Sequence, residues 1–138
     1  MTQVLSRVVL DTVVYVQALI SGRGHAAGCI QRLKSGRFIV LLSDDLLSEI
    51  RDVPLRPELT RKYTYLTSER VDAFVAEIRA LALEIPAPAT AFRLPRDPDD
   101  ELLINLAIAG DADFLVTWNE SCGRTRLKVR TSAPGIRS

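Results

Sequence analysis

Three acids stand where a hard cation could be held. Asp11 directly follows the apolar run Val8, Val9, Leu10, so a carboxylate is planted where a buried strand leaves its sheet. Glu49 comes one to two helical turns after the strand-like run Phe38, Ile39, Val40, Leu41, Leu42, and Asp100 opens an apolar helix that leads into Phe114, Leu115, Val116. Open parallel α/β sheets bind their ligands at the carboxyl ends of their strands, so acids placed this way can converge on one spot. Two carboxylates about 4 Å apart repel by roughly 4 kcal/mol at an effective dielectric of 20, so a cluster of them needs a proton or a cation. Oxygen donors without His or Cys suit Mg²⁺ or Mn²⁺ and not zinc. Such an ion keeps several waters, and a metal-activated water is what a phosphodiester hydrolase requires.

Each acid also has a plain structural reading. An Asp after a strand caps the next helix or makes an Asx turn, a Glu on a helix surface is solvated by default, and Asp97, Pro98, Asp99, Asp100, Glu101 is a good helix start on local grounds alone. What favours chemistry is the joint pattern, in which each acid falls near the end of a different strand. Other reactive side chains add little. Cys29 and Cys122 form neither a CxxC knuckle nor a disulfide framework, and His25, in a turn-like stretch, lacks the partners of a nucleophilic or zinc site. No P-loop, GxSxG or GxGxxG is present.

The elements that must position the acids follow from apolar runs alternating with helical patterns, which predicts βα units around a parallel sheet. Strands are expected over 7–10, 38–42, 83–85, 114–116 and 127–130. Helices are expected over 13–19, 26–33, from Ser43 as N-cap through Val53, over 58–65, from Thr67 or Ser68 through Ala82, and over 97–109. The fold class is therefore α/β, one domain over 1–138, with a mostly parallel sheet of four or five strands flanked by helices.

The 138 residues, 47% of them hydrophobic, suffice for a single core without disulfides. Eighteen Lys and Arg against 17 Asp and Glu give a formal charge of +1, so any nucleic-acid contact is local and not a domain-wide field. Arg23, Lys34, Arg61, Lys62 and Arg124 are cations available for phosphate, each equally readable as solvated surface. No run reaches the ~20 apolar residues of a spanning helix, and no signal peptide is apparent; a cytoplasmic protein without membrane contact is expected.

Three blocks, in order, resemble the PIN-domain family of small metal-dependent ribonucleases, which includes VapC-type toxins of bacterial toxin-antitoxin pairs. RVVLDTVVYVQALIS resembles the family's opening strand and helix with its first acid, SDDLLSEI with RPEL and RKY its second-acid helix, and DPDDELLINLAIAGDADFLVT its closing block. The resemblance implies a PIN-like fold and a three-carboxylate metal and catalytic site of Asp11, Glu49 and Asp100. Asn119 and Thr12 become supporting polar groups, with Asp97 or Asp99 as helpers. It also implies Mg²⁺ or Mn²⁺ as cofactor, RNA as substrate, an antitoxin protein as partner and a homodimer, with the apolar, basic region 59–75 available for either protein contact. The family's Asn two positions after the first acid and its Asp two positions after the closing Val-Thr are here Val13 and Asn119, which bears on metal affinity more than on fold. Two other readings stand beside it. One is a catalytically weak PIN-like module that binds RNA or protein. The other is a phosphate-accepting receiver domain, which needs a lysine after its last strand, whereas Lys128 falls within that strand.

Overall fold

A computed structural model describes residues 5–86, 98–119, 124–132 and 135–137; Asp97 and Cys122 lie outside these, as do the side chains of Asp99, Asp100, Asn119 and Arg124. Strand β1 (Arg7–Leu10) is followed by α1 (Thr12–Ile20) and α2 (His25–Lys34), then by β2 (Ile39–Leu42). Helix α3 (Asp44–Asp52), a 3₁₀ turn (Val53–Leu55), α4 (Pro57–Thr60) and α5 (Ser68–Ala80) lead to β3 (Ala82–Glu84). Helix α6 (Pro98–Ala109), β4 (Phe114–Asn119), β5 (Arg124–Ser132) and β6 (Gly135–Arg137) complete the order.

Strands β3, β2, β1 and β4 lie side by side in that order, all parallel, with Val8 opposite both Val40 and Phe114. Strand β5 pairs antiparallel with β4, and β6 with β5. The α/β class and the predominantly parallel sheet are thus as expected, with one further short strand beyond β5. Residues Val8 to Leu10 and Val40 to Leu42 are buried without alternation, the pattern of inner strands covered on both faces.

Local chemistry sets the helix starts. Ser43 Oγ accepts the Leu46 N–H at 3.2 Å and Thr67 Oγ1 accepts that of Arg70 at 3.2 Å, with Asp44, Asp45 and Glu69 in the first turns, where the helix dipole favours negative charge. The helix expected over 58–65 is corrected: α4 stops at Thr60 and turns follow. Leu59, Tyr63 and Leu66 recur at helical spacing, yet Leu66 enters the core from a turn in which its N–H donates to the Tyr63 carbonyl at 3.0 Å. The third strand begins one residue earlier than expected, and β4 and β5 run longer.

One clamp sets the height of α6 against the sheet. The Arg7 guanidinium donates to the Gly110 carbonyl at 3.0 Å, the Arg7 N–H donates to Asp113 Oδ2 at 2.9 Å, and the Asp113 N–H returns a bond to the Arg7 carbonyl at 2.7 Å. Helix α6 ends in a left-handed residue, Asp111 (φ 53°), and the Ala112 N–H reaches back to the Ala107 carbonyl at 2.8 Å, a Schellman-type closure. A Cβ on Gly110 would run into Leu41 Cδ1, so a glycine there lets the helix end approach β2 closely.

Candidate active site

The strand order places β1 between β2 and β4, so the chain leaves β1 in one direction and returns on its other side. A ligand crevice belongs at such a reversal, outside the carboxyl ends of the strands. Asp11 stands there. Its N–H continues the ladder by donating to the Val116 carbonyl at 3.0 Å, and its Oδ1 accepts the Val13 N–H at 3.2 Å. Asp11 is therefore the N-cap of α1, as the structural reading of this residue expects. The cap fixes the carboxylate of a half-buried residue at the sheet edge, and Val13, which has no ligating side chain, contributes the N–H that aims it.

Glu49 lies in the second turn of α3, which starts at the carboxyl end of β2 and packs against α1 and α6. Leu46, Leu47 and Ile50 bury the inner face, while Glu49 is half-buried and not on the fully solvated side that holds Asp45, Ser48 and Asp52. Both Asp11 and Glu49 take part in further interactions.

Asp99 and Asp100 occupy the first turn of α6. Ten residues separate Gly110 from Asp100, about 15 Å at 1.5 Å per residue. Four separate Arg7 from Asp11, about 13 Å at 3.3 Å per residue. Because α6 ends at the Arg7 clamp and leads into the start of β4, its first turn, with the Asp100 backbone, lies toward the end of the sheet where Asp11 stands. Asn119 ends β4, the strand beside β1, two residues beyond half-buried Thr117.

Thr12, next to Asp11 in the chain, is buried at 8% exposure. Ser43 and Asn105 are the other buried polar side chains among the described residues, and Ser43, like Thr12, sits just past a strand end. Asn105 was not singled out from sequence; a lone amide within Leu102 to Ala109 was the available signal.

The described acids of the edge, Asp11 and Glu49, are oxygen donors suited to Mg²⁺ or Mn²⁺ but too few for a complete set. Among the described side chains no group of three His, Cys, Asp or Glu forms a metal cluster. Asp100 is the third acid whose backbone comes to this edge. Other chemistries are poorly served. Burial pushes the Cys29 thiol up, with Arg32 only partly opposing it, which disfavours the thiolate a nucleophile needs. His25 is exposed at the start of α2, and Lys128 lies within β5, so no lysine stands where a receiver domain requires one.

Comparison with known proteins agrees with this placement of elements. A family model described as PIN domain matches residues 7–121, which include every element from β1 through β4. An uncharacterized protein of Methanocaldococcus jannaschii is 29% identical over 129 residues, covering 88% of this chain and 81% of the relative. No solved structure matches.

Proposed function

Since the chain belongs to the PIN-domain family, whose members point to nuclease-type chemistry, we propose that it is a Mg²⁺- or Mn²⁺-dependent endoribonuclease with its site at the carboxyl edge of β1 and β4. The observation that supports the reading is Asp11 capping α1 at the reversal of strand order, with α3, the helix of Glu49, packed against both α1 and α6. Asp11 and Asp100 would hold the cation, Glu49 would complete the pocket and orient a water, Asn119 and Thr12 would serve as supporting polar groups, and Asp97 or Asp99 would add negative charge. When bound, the ion supplies a water of lowered pKa and a counter-charge for the leaving oxygen. The Val13 N–H and the β1–β4 ladder keep the Asp11 carboxylate from rotating away.

Asp11→Asn and Asp100→Asn are each expected to abolish metal-dependent cleavage of RNA while the protein stays folded. Undiminished cleavage by both variants refutes the assignment.

By the same family likeness the protein acts as the toxin half of a toxin-antitoxin pair, as a homodimer inhibited by an antitoxin, in the cytoplasm. Among the described residues no helix is long and apolar enough to cross a membrane. The test is the neighbouring gene: a small DNA-binding protein encoded immediately upstream whose product co-purifies with this chain would support that role, and a neighbour whose product does not bind would count against it. One feature favours a second reading, a PIN-like module that binds RNA or protein without cutting: Val13 and Asn119 stand where the family carries Asn and Asp. Titration of Mn²⁺ separates the two, because an ion that binds only the folded state raises the melting temperature, whereas the binding module responds to no metal.

A further inference from the structure

The segment between α4 and α5 carries an arrangement that the acidic site does not use. The Tyr63 N–H donates to the Leu59 carbonyl at 2.7 Å, Leu66 is buried in the core, and Thr67 caps α5, so residues 63–66 are held at both ends. Between these anchors the Tyr63 and Tyr65 rings meet edge to face, 6.0 Å apart between centroids and inclined at 61°. The Lys62 ammonium lies 5.4 Å from the centre of the Tyr63 ring, and the Arg70 guanidinium 5.2 Å from that of Tyr65. The Tyr65 hydroxyl donates to the carbonyl of Ile20, the last residue of α1.

Single exposed apolar side chains need no explanation. Two adjoining rings, each with a cation over it and one of them 41% exposed, form a different kind of surface. Lys34, Arg56 and Arg79 are ion-paired with Glu77, Asp52 and Glu84, whereas among the described residues Lys62 and Arg70 have no carboxylate within ion-pairing distance. Exposed Arg23 follows Ile20 by three residues and adds a further cation near the point where Tyr65 is tied down. Aromatic faces with unpaired cations around them are what single-stranded nucleic acid requires. Unpaired bases stack on the rings with little regard to identity, and the cations take the phosphates.

We infer that exposed Tyr65, braced edge to face by half-buried Tyr63 and flanked by Lys62 and Arg70, forms a stacking platform for an unpaired base of a single-stranded RNA substrate. The inference deepens the ribonuclease reading and rests on it for the identity of the strand. Helix α1 joins the two places: Asp11 caps its first turn through the Val13 N–H and Tyr65 is bonded to its last residue, about 14 Å from Asp11 at 1.5 Å per residue over nine residues. An extended strand gripped at Tyr65 has its scissile bond presented to the acids at the other end of the helix.

Fluorescence anisotropy of a labelled single-stranded oligoribonucleotide tests this on the full chain, with EDTA present so that nothing is cleaved. Tyr65→Ala is expected to weaken binding roughly 5- to 150-fold, the range of one lost base stack, and Tyr65→Trp to retain it. Lys62→Gln, an exposed change that leaves the fold alone, is expected to weaken binding and to lower the salt slope by about 0.7, the loss of one phosphate contact. A fully paired RNA duplex is expected to bind without sensitivity to Tyr65→Ala, since its bases are already stacked. Unchanged affinity in both Tyr65→Ala and Lys62→Gln overturns the platform, as does equal sensitivity of duplex and single strand. Unchanged affinity with a dimer that Tyr65→Ala converts to monomer in sedimentation also overturns it and makes the patch a self-association surface. The two readings fail separately. Wild-type protein that binds as described but does not cut with Mn²⁺ sinks the nuclease and keeps the platform, while wild-type protein that cuts, with binding unaltered in the variants, sinks only the platform.

Discussion

Asp11 holds two roles that a pair of substitutions can pull apart. Its Oδ1 accepts the Val13 N–H at 3.2 Å, and asparagine offers the same acceptor, so Asp11→Asn keeps the cap and removes the charge. Loss of charge at a helix N-terminus costs about 0.3–1 kcal/mol. Relief of repulsion from neighbouring acids offsets part of it, which leaves the metal-free variant within about 1 kcal/mol of wild type. Asp11→Ala loses the cap as well, a further 0.5–2 kcal/mol or so. With an unfolding entropy of about 2.1 cal/mol/K per residue, 138 residues turn 1 kcal/mol into roughly 3 °C of melting temperature. Wild type in Mn²⁺ at 100 times its dissociation constant gains about 2.7 kcal/mol, or roughly 9 °C. Calorimetric melts of wild type, Asp11→Asn and Asp11→Ala, with EDTA and with Mn²⁺, are therefore expected to show three behaviours. Wild type rises with the ion, the asparagine variant melts close to wild type in EDTA but does not rise, and the alanine variant is lowest throughout. A full Mn²⁺-induced rise in Asp11→Asn refutes the ligand role, and a metal-free collapse of that variant refutes the capping argument.

Further outcomes follow from the core. Tyr15 is fully buried and its hydroxyl has no hydrogen-bond partner among the described residues, so Tyr15→Phe, which keeps the edge-on packing against Phe74, is expected to raise stability by about 1–3 kcal/mol; a lower urea midpoint with an unchanged slope contradicts this. Burial, reinforced by nearby Cys29, pushes the Tyr15 hydroxyl above the ordinary tyrosine value, so the folded state keeps a proton that the unfolded chain releases near pH ~10. That contribution is complete below this pH and declines above it, and Tyr15→Phe is expected to flatten the alkaline fall in a plot of unfolding free energy against pH; parallel curves for the two proteins tell against it. Gly110→Ala drives a methyl into Leu41 and is expected to destabilise by about 1–3 kcal/mol, read in the same urea titration, where an unchanged midpoint shows that Leu41 gives way freely.

The features legible in sequence were those with a local cause. The apolar runs of β1 and β2 announce buried strands, Ser43 and Thr67 announce helix starts, and Asp11 is visible because an acid ends an apolar run. Local reasoning misread 58–65 because Leu59, Tyr63 and Leu66 keep a helical period that the chain meets with a turn. The Arg7 clamp was not legible, since its partners lie 103 and 106 positions away and neither arginine nor aspartate carries a pattern that names the other. The Tyr63–Tyr65 pair escaped notice for a related reason. Its cations come from both sides of the turn, and only the fold sets Arg70 over a ring five residues before it.

That clamp makes α6 a lever. Its fulcrum is Gly110, pinned to Arg7 and pressed on Leu41, and its free arm runs about 15 Å to Asp100. A tilt of only 10° about that fulcrum swings the acid end by roughly 3 Å, where about 1 Å of misplacement can lower a rate by 10²-fold. Substitutions at Arg7 or Asp113, at the opposite edge of the sheet from the acids, thus gain a mechanical advantage over the site that their distance from it conceals.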